Sequence, residues 1–595
     1  MILPSLLPFI PTWCAANYCA CMATIFSSLM WVFWPEDIEF NKQTKIEPIY
    51  YDFIVVGAGS AGCVVANRLS EIKEWNVLLL EAGGEQPIVA DIPGFVYQLG
   101  KTAIDWNYTT QAEAESCLIN KGCNLPRGKV MGGSSSHNTM MYVRGNAEDY
   151  NNLARKGNTG WSYQEILPYF KKSEDNTDPE IVRQNPGYHG TKGYLTVSKY
   201  PFLSPAGRKV EEAFNELGYA TKDINAKSQL GITNAQATID NGVRESANAA
   251  FIRPIRGLRH NLIVKNKIYV TKILIDPVTR RAYGVECKSS PTGTPQYFLA
   301  KKEVIVSAGA INSPRLLMVS GVGPTEELSR NRIRVIQNLS VGRNFHDHFA
   351  AIGVSGIRKK VSLDNDVECK EKVGNFTYYA ITQKGTFSAV GPAFLAAYVR
   401  TEFEKNMNIP DTQLNLIVSD ENKFSIMTVL LTPNSRGYIK LNTTDPVWGS
   451  PLIYPGYLTA EPDLKRIIQG IRIGLSVFNT AAMKKYQFRL DDTPMPPCHM
   501  ILFNSDAYWT CVVRYFGFPF HHIVGTCKMG PQEDAEAVVD PRLRVYGIQG
   551  LRVIDASVIS VVPRGNTNAP VMMFAEKGSD MIKEDYLFRE PCFFK

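Results

Sequence analysis

Residues 53–62 read Phe-Ile-Val-Val-Gly-Ala-Gly-Ser-Ala-Gly, and this stretch decides the fold of the 595-residue chain. An apolar strand, a glycine-rich turn and the start of a helix follow one another. In a dinucleotide-binding unit the first glycine permits a tight turn, the second lets the backbone approach a pyrophosphate, and the third allows close packing of helix on strand. We therefore predict a helix over 61–70 and a site for an ADP-containing cofactor. The predicted phosphate-site residues are Gly57, Gly59, Ser60, Ala61 and Gly62.

A second apolar strand, residues 77–80, ends at Glu81. An acidic side chain at this point of a βαβ unit can accept a hydrogen bond from a ribose hydroxyl. A lone Gly-x-Gly-x-x-Gly motif is weak evidence, because a glycine-rich turn in another α/β protein can match it. Here the preceding strand, the following helix and the acid all fit, so the motif predicts a Rossmann-like fold.

Composition limits the partners of the chain. The 64 basic and 57 acidic residues leave a net charge of +7, and 45% of the residues are hydrophobic. We found no long basic run, repeat or low-complexity tract, so the charge pattern indicates neither nucleic acid nor a membrane surface. The composition is that of a globular protein with ample material for a core.

The first 35 residues contain no Lys, Arg, Asp or Glu, and residues 15–34 are almost uninterruptedly apolar. This pattern predicts a signal peptide or an N-terminal anchor over 1–35, followed by a linker over 36–49. A start at Met22 would give a shorter leader. Contact with a membrane is expected only if the segment stays attached as an anchor.

The chain has 12 cysteines, which agrees with an oxidising compartment. We expect disulfides between Cys117 and Cys123 and between Cys498 and Cys511, and neither spacing resembles a zinc site. We therefore predict a secreted, glycosylated protein without a metal. N-glycosylation sequons begin at Asn107, Asn338, Asn375 and Asn442.

Two further strand–turn–helix patterns occur far along the chain. The first comprises a strand at 303–307 and a helix near 313–320, and the second a strand at 550–556 and a helix at 568–582. The intervening stretches, near 155–240 and 350–520, show the alternation of antiparallel strands. The fold class expected is α/β (α+β overall): a discontinuous Rossmann-like domain plus a second domain with an antiparallel sheet and flanking helices.

Four long motifs, at residues 127–145, 309–323, 522–530 and 555–570, resemble the signatures of the glucose–methanol–choline (GMC) oxidoreductases. The resemblance covers about residues 50–588 and implies FAD as the cofactor. It also implies how the chain divides between the two domains. The FAD-binding domain would comprise 50–155, 241–350 and 521–595, and the substrate domain 156–240 and 351–520.

The resemblance further implies which residues contact FAD. At His137 the motif is similar to that of choline oxidase, in which the histidine is joined covalently to the flavin. We expect His137 to line the flavin edge without a bond, and the covalent link is the alternative. The implied cofactor residues are Met131, Gly132, Ser134, His137, Asn138, Met141, Val270, Asp555 and Ala556.

Oxidising an alcohol by hydride transfer requires a base that takes the hydroxyl proton, and a histidine suits that task. His522 matches the catalytic-base position of the family, and His521 is expected to point elsewhere if the segment is extended. The partner of the base is a histidine or asparagine in the family, and we assign it to Asn568. Asn568 can also act simply as the cap of the helix that follows.

The cysteine positions are similar to those of insect FAD-dependent glucose dehydrogenases within this family. The predicted function is therefore oxidation of a CH–OH group in a sugar or another alcohol, with glucose as donor and a quinone as acceptor. Oxidation of an ecdysteroid or another alcohol with oxygen is the first alternative, and a catalytically weak flavin-binding protein is the second. An NAD-dependent dehydrogenase is excluded because a separate nicotinamide-binding half is missing.

Overall fold

The computed structural model describes residues 50–202, 205–358, 365–390, 394–420 and 422–587. The predicted signal or anchor and its linker lie outside these ranges. Within them, none of the helices combines the length and the apolar character needed to cross a membrane.

The first sheet collects seven strands from three distant parts of the chain. Its parallel centre runs in the order Leu262–Lys265, Val77–Leu80, Tyr50–Val56 and Gln296–Val306. The long last strand pairs with Leu551–Val553 near its carboxyl end and with an antiparallel neighbour near its amino end. The antiparallel neighbour is Ala282–Lys288, which in turn pairs with Tyr269–Ile275 at the edge of the sheet. The predicted Rossmann-like fold is confirmed.

The three predicted helices are present as Ser60–Leu69, Gly309–Val319 and Asn568–Leu587. The first and the last pack side by side, and the Arg68 guanidinium binds the Glu576 carboxylate at 2.7 and 2.8 Å between them. Both side chains are almost completely buried. A buried pair with two parallel hydrogen bonds fixes the register of the two helices.

The second sheet is antiparallel, as expected, and also has seven strands within the described ranges. The helix Glu461–Ser476 packs on one of its faces. The opposite face carries Met427, which together with Phe518 lines the main cavity described below. The strands are Gly231–Asn234, Phe349–Ile357, Phe394–Val399, Thr412–Asp420, Lys423–Leu430, Arg489–Leu490 and Phe518–Pro519.

Shorter elements complete the described chain, and both predicted disulfides are present. The domain boundaries themselves stay predictions. The other strands are Tyr108–Thr109, Asn124–Leu125, Glu174–Asn176, Leu195–Lys199, Gln236–Ala237, Ile239–Asp240, Val243–Arg244, Tyr438–Lys440 and Leu452–Tyr454. The other α-helices are Ile88–Asp91, Ala147–Arg155, Tyr163–Ser173, Pro179–Gln184, Pro205–Glu216, Thr325–Arg330, Asn365–Thr382, Ala481–Lys485 and Asp506–Phe516.

Candidate active site

A cavity of about 460 Å³, here called the main cavity, is lined from the glycine turn at Gly57 to His522. Both sheets contribute to its wall. Most of the residues predicted from the sequence meet in this one space. They are Gly57, Gly59, Ser60, Ala61, Glu81, Ser134, His137, Asn138, Met141, Val270, His522, Asp555, Ala556 and Asn568.

Three predicted cofactor residues lie behind the wall and do not line the cavity. Met131 is fully buried in the core, and its N–H donates to the Gly84 carbonyl. The Gly132 N–H donates to the Ala58 carbonyl at 2.7 Å, which ties this segment to the glycine turn. Gly62 packs against the turn itself. These residues shape the wall, and their contact with a cofactor stays a prediction.

The glycine turn leaves no space for side chains. Gly57 has φ +101°, and a Cβ there would lie 2.5 Å from the Ser307 carbonyl oxygen. A Cβ on Gly133 would lie 2.7 Å from the Cα of Gly59. Two backbone segments thus meet beside the cavity, at the start of the helix Ser60–Leu69. Such an arrangement lets a pyrophosphate approach backbone N–H groups closely.

Glu81 closes the turn from the next strand. Its carboxylate accepts hydrogen bonds from the Ala58 N–H at 2.9 Å and from the Gly83 N–H at 2.8 Å. Burial raises the pKa of Glu81 to about 7, and the backbone N–H groups of Gly83 and Ala58 oppose that rise. The side chain therefore holds the turn in shape and also presents an acceptor at the cavity.

Asp555 joins the second and third α/β pieces. Its carboxylate accepts hydrogen bonds from the Gly309 N–H at 2.8 Å and from the Ser313 hydroxyl at 2.5 Å. The Ser557 N–H and hydroxyl bind its other oxygen. Burial raises the pKa of Asp555. The network aligns two loops that line the cavity.

At the other end of the cavity, His522 has a partner on each ring nitrogen. Nδ1 lies 2.9 Å from Nδ1 of His348, and Nε2 lies 3.1 Å from the Asn566 amide nitrogen. The Phe520 ring meets the imidazole edge to face, with centroids 4.9 Å apart. Burial, followed by the nearby His348 and His521, lowers the pKa of His522 well below its usual value.

These contacts define a tautomer. The Asn566 amide is a donor, so Nε2 of His522 carries the lone pair, and its Nδ1–H donates to Nδ1 of His348. Burial lowers the pKa of His348 to about 3, which keeps that ring neutral as an acceptor. His522 thus presents an unprotonated nitrogen beside an amide donor, the arrangement that a general base for a hydroxyl requires.

In the structure the asparagine that contacts His522 is Asn566, and the assignment of Asn568 as partner of the base stays a prediction. The Asn568 carbonyl oxygen accepts a hydrogen bond from the Ser60 hydroxyl at 2.7 Å, at the start of the last helix. Asn566 stands two residues earlier, outside the helix, and is the one that reaches His522. Asn568 still lines the cavity, on its cofactor side.

The expectation that His521 points elsewhere is wrong, because the segment is not extended there. His521 has φ +65°, and both His521 and His522 line the main cavity. One carboxylate holds this bend: Asp347 accepts the His522 N–H at 2.6 Å and the His521 N–H at 3.2 Å. Burial raises the pKa of Asp347 to about 7.

His137 lines the main cavity as expected, and its Nε2 is buried without a hydrogen-bond partner among the described residues. Burial lowers the pKa of His137, so the ring is neutral. An unpartnered nitrogen on a residue that lines the cavity fits a place beside a bound group. Whether a covalent bond forms there stays a prediction.

The sequence profile of GMC oxidoreductases matches residues 51–350, and the profile of their C-terminal part matches residues 433–575. The chain belongs to the GMC oxidoreductase family. Together the two matches cover well over half of its length.

Similar proteins come from insects and from bacteria. A glucose dehydrogenase [FAD, quinone] from Drosophila pseudoobscura pseudoobscura is 42% identical over 91% of this GMC oxidoreductase and 88% of its own length. An ecdysone oxidase from Bombyx mori is 35% identical over 93% of this chain and 84% of its own. The crystal structure of pyridoxine 4-oxidase from Mesorbium loti superposes with a TM-score of 0.76, at 25% identity, over 91% of this chain and 100% of that one.

This GMC oxidoreductase is accordingly an FAD-dependent enzyme that acts on a CH–OH group. The residues present fit that cofactor. The side-chain-free turn around Gly57 and Gly133 suits a pyrophosphate, Glu81 suits a ribose, and the unpartnered nitrogen of His137 suits a ring edge.

Sequence reasoning missed Asp347, His348 and Asn566. The run His346-Asp347-His348 holds two of the groups that contact the His521–His522 segment, Asp347 and His348, and it was readable as a polar cluster. Its proximity to His522 was not readable, because it depends on pairing between segments 174 residues apart.

Proposed function

We propose that this enzyme is a secreted FAD-dependent dehydrogenase that oxidises a hydroxyl of a sugar, with glucose as the donor and a quinone as the acceptor. The observation that carries the proposal is the pairing of a neutral His522 with the Asn566 amide at the cavity wall. The name of the Drosophila relatives supports the choice of glucose and quinone.

The chain's own residues supply proton transfer and orientation. The donor hydroxyl would take the place of the Asn566 amide at Nε2 of His522, so that its proton passes to Nε2. The released Asn566 N–H then donates to the hydroxyl oxygen as negative charge develops on it. The charge that forms on the imidazole is delocalised toward Nδ1, whose proton binds His348 at 2.9 Å. FAD, when bound, supplies the acceptor of the hydride.

The environment of His522 keeps the base unprotonated before the donor binds. Phe518, Phe520 and Met427 line the same part of the cavity and limit access of water. A neutral base in an apolar setting accepts a proton only when the hydroxyl is held at the nitrogen, which restricts the chemistry to an oriented donor. A catalytically weak flavin-binding protein would have no need for this arrangement.

Oxidation of an ecdysteroid with oxygen as acceptor is the second candidate. The ecdysone oxidases of Bombyx mori and Spodoptera littoralis, at 35% and 33% identity, favour it. A steroid is larger and more apolar than a hexose. The aromatic side chains near His522 are compatible with either a steroid or a hexose as the donor.

Two observations support secretion. The disulfides Cys117–Cys123 and Cys498–Cys511 belong to an oxidising compartment. The sequon residues Asn107 and Asn338 are exposed and open to glycosylation. Peptide mapping of secreted protein, with and without reduction and deglycosylation, tests whether the two disulfides form and whether Asn107 and Asn338 carry glycans.

A donor panel tests the activity. Glucose, other hexoses, ecdysone and simple alcohols are offered to the purified holoenzyme, once with a quinone and once with oxygen and peroxide detection. Bleaching of the flavin by glucose, with reoxidation by the quinone, is the expected result. Turnover of ecdysone with peroxide formation would replace the proposed glucose–quinone activity by the ecdysteroid–oxygen activity. If no donor bleaches the flavin, both proposals are overturned.

A further inference from the structure

A second cavity of about 510 Å³ adjoins the main cavity and has no role in the reaction described so far. Its outer wall is the disulfide loop, residues 117–123, together with the end of the helix Asp506–Phe516. The two cavities share six lining residues. They are Tyr97, Gly100, Tyr108, Pro126, Phe518 and His521.

Four of the six residues of this shared wall carry aromatic rings: Tyr97, Tyr108, Phe518 and His521. A molecule in the second cavity therefore lies next to whatever occupies the main cavity. Tyr515 and Phe516 add two more aromatic rings on the far side. Aromatic side chains around a concave space are the usual surroundings of a flat apolar ligand.

His521 gives the shared wall its one imidazole. Its Nδ1 is buried and has no hydrogen-bond partner among the described residues. Its backbone is held at φ +65° by the Asp347 carboxylate on the N–H and by the Arg127 guanidinium on the carbonyl, at 3.2 and 2.8 Å. A non-glycine residue in this conformation is strained, and strain of this kind persists where the surroundings impose it. Burial lowers the pKa of His521 to about 3, so the ring is neutral.

We propose that the second cavity binds the quinone acceptor, a flat neutral ring, between the aromatic wall and His521. The inference rests on the proposed function, since it places the acceptor of that reaction. A quinone ring would lie against the His521 imidazole, which lines both cavities. The donor keeps its own place beside His522, so donor and acceptor use different spaces.

The redox balance is complete with these reactants. The donor loses two hydrogens, one as the proton taken by His522 and one as the hydride delivered to the cofactor, and becomes a carbonyl compound. The quinone would gain the two electrons and the proton of that hydride, passed on through bound FAD, together with the proton held by His522, and would become the hydroquinone.

Filling the cavity from its outer wall tests the proposal. Ile119 lines the second cavity, is 54% exposed, and belongs to neither the donor site nor the shared wall. Ile119→Trp should raise both the Kd of duroquinone for the oxidised holoenzyme, measured by quenching of protein fluorescence, and its KM in turnover. The expected rise is about tenfold, equivalent to roughly 1.4 kcal/mol of binding free energy. Flavin bleaching by the donor should stay within about twofold.

Leu258→Trp is the matched control, because Leu258 is 75% exposed and lines neither cavity. It should leave the affinity for duroquinone unchanged. His521→Leu is a second variant, expected to weaken duroquinone binding while the flavin spectrum is retained.

Three outcomes separate the possibilities. Unchanged Kd and KM for duroquinone in Ile119→Trp would overturn the inference while leaving the proposed function intact. A raised KM for the donor alone would show that the second cavity is the donor's route, which also overturns it. If no donor bleaches the flavin, the proposed function fails, and duroquinone binding to the oxidised holoenzyme still decides the site.

Discussion

The two ends of the main cavity are built in different ways. Around Gly57 the wall is backbone, held by contacts such as that of Glu81 with Ala58, which lie 23 residues apart. Around His522 the wall is side chains, and the closest contact of its imidazole, with His348, spans 174 residues. The cofactor end thus depends on shape and the catalytic end on placement. A substitution at the cofactor end should therefore abolish FAD binding, and a substitution at the catalytic end should lower the rate of turnover.

The largest effect is expected at the cofactor end. A Cβ on Gly62 would lie 1.8 Å from the Gly57 carbonyl oxygen, a backbone atom that cannot give way. Gly62→Ala should therefore yield protein that retains no FAD, as measured by absorbance of the purified chain. Gly374→Ala, on a helix where a Cβ meets nothing within 4 Å, is the control and should stay yellow. A yellow Gly62→Ala protein would show that the turn tolerates a side chain.

At the catalytic end, His522→Ala should keep the flavin spectrum and lose turnover. A loss of roughly 10²–10⁴-fold is the scale of a general base. His499→Ala, which removes an exposed histidine, should leave turnover unchanged. Near-normal activity of His522→Ala would transfer the role of base to another residue, with His521 first in line.

The pair Asn566 and Asn568 tests the boundary between the two ends. Asn566→Ala removes the donor beside His522 and should reduce turnover by roughly 10²-fold, as for loss of one transition-state donor. Asn568→Ala removes the bond to Ser60 and should instead weaken retention of FAD, with turnover of the loaded enzyme changed by less than about tenfold. The reverse ranking would support the assignment made from the sequence.

A smaller effect concerns pH. A base must be unprotonated to act, so a lowered pKa of His522 moves the acid loss of activity to lower pH. The rate of flavin bleaching at saturating donor should stay constant as the pH falls to the ordinary histidine value of 6.5 and below it. A fall that begins at 6.5 would mean that the base is exposed to solvent in the working enzyme.

The smallest effect is expected at His137, on the cofactor side. Because FAD is expected to be held by contacts alone, acid precipitation of the holoenzyme should leave a yellow supernatant and a colourless pellet. A yellow pellet that turns colourless in His137→Ala would instead establish a covalent link through this histidine.

The difference between the two ends also explains what the sequence could predict. The turn at Gly57, the strand 77–80 and Glu81 lie close together in the chain. The local sequence pattern is therefore enough to predict the geometry of the cofactor end. The disulfides span 6 and 13 residues and were predicted for the same reason. The three distant α/β pieces were assigned to one nucleotide-binding domain because each repeats the strand–turn–helix pattern.

The catalytic end was predicted only in part. His522 and Asn568 were both assigned from the match to the family's motif, and Asn566 was not considered. The sequence does not show which asparagine contacts the imidazole, because that depends on how the segment around His521, with φ +65°, meets the segment around Asn566. A left-handed histidine has no sequence signal.

The order of the strands in the first sheet determines how late in translation this sheet can form. The glycine turn leaves the ribosome early, yet its helix Ser60–Leu69 packs on Asn568–Leu587, and the strand Gln296–Val306 pairs with Leu551–Val553. Domains generally form from the N-terminus as synthesis proceeds, but this one cannot close until nearly the whole chain has been translated. The unpaired edge of Gln296–Val306 must be shielded during that interval, and the cofactor can be enclosed only after translation is almost complete.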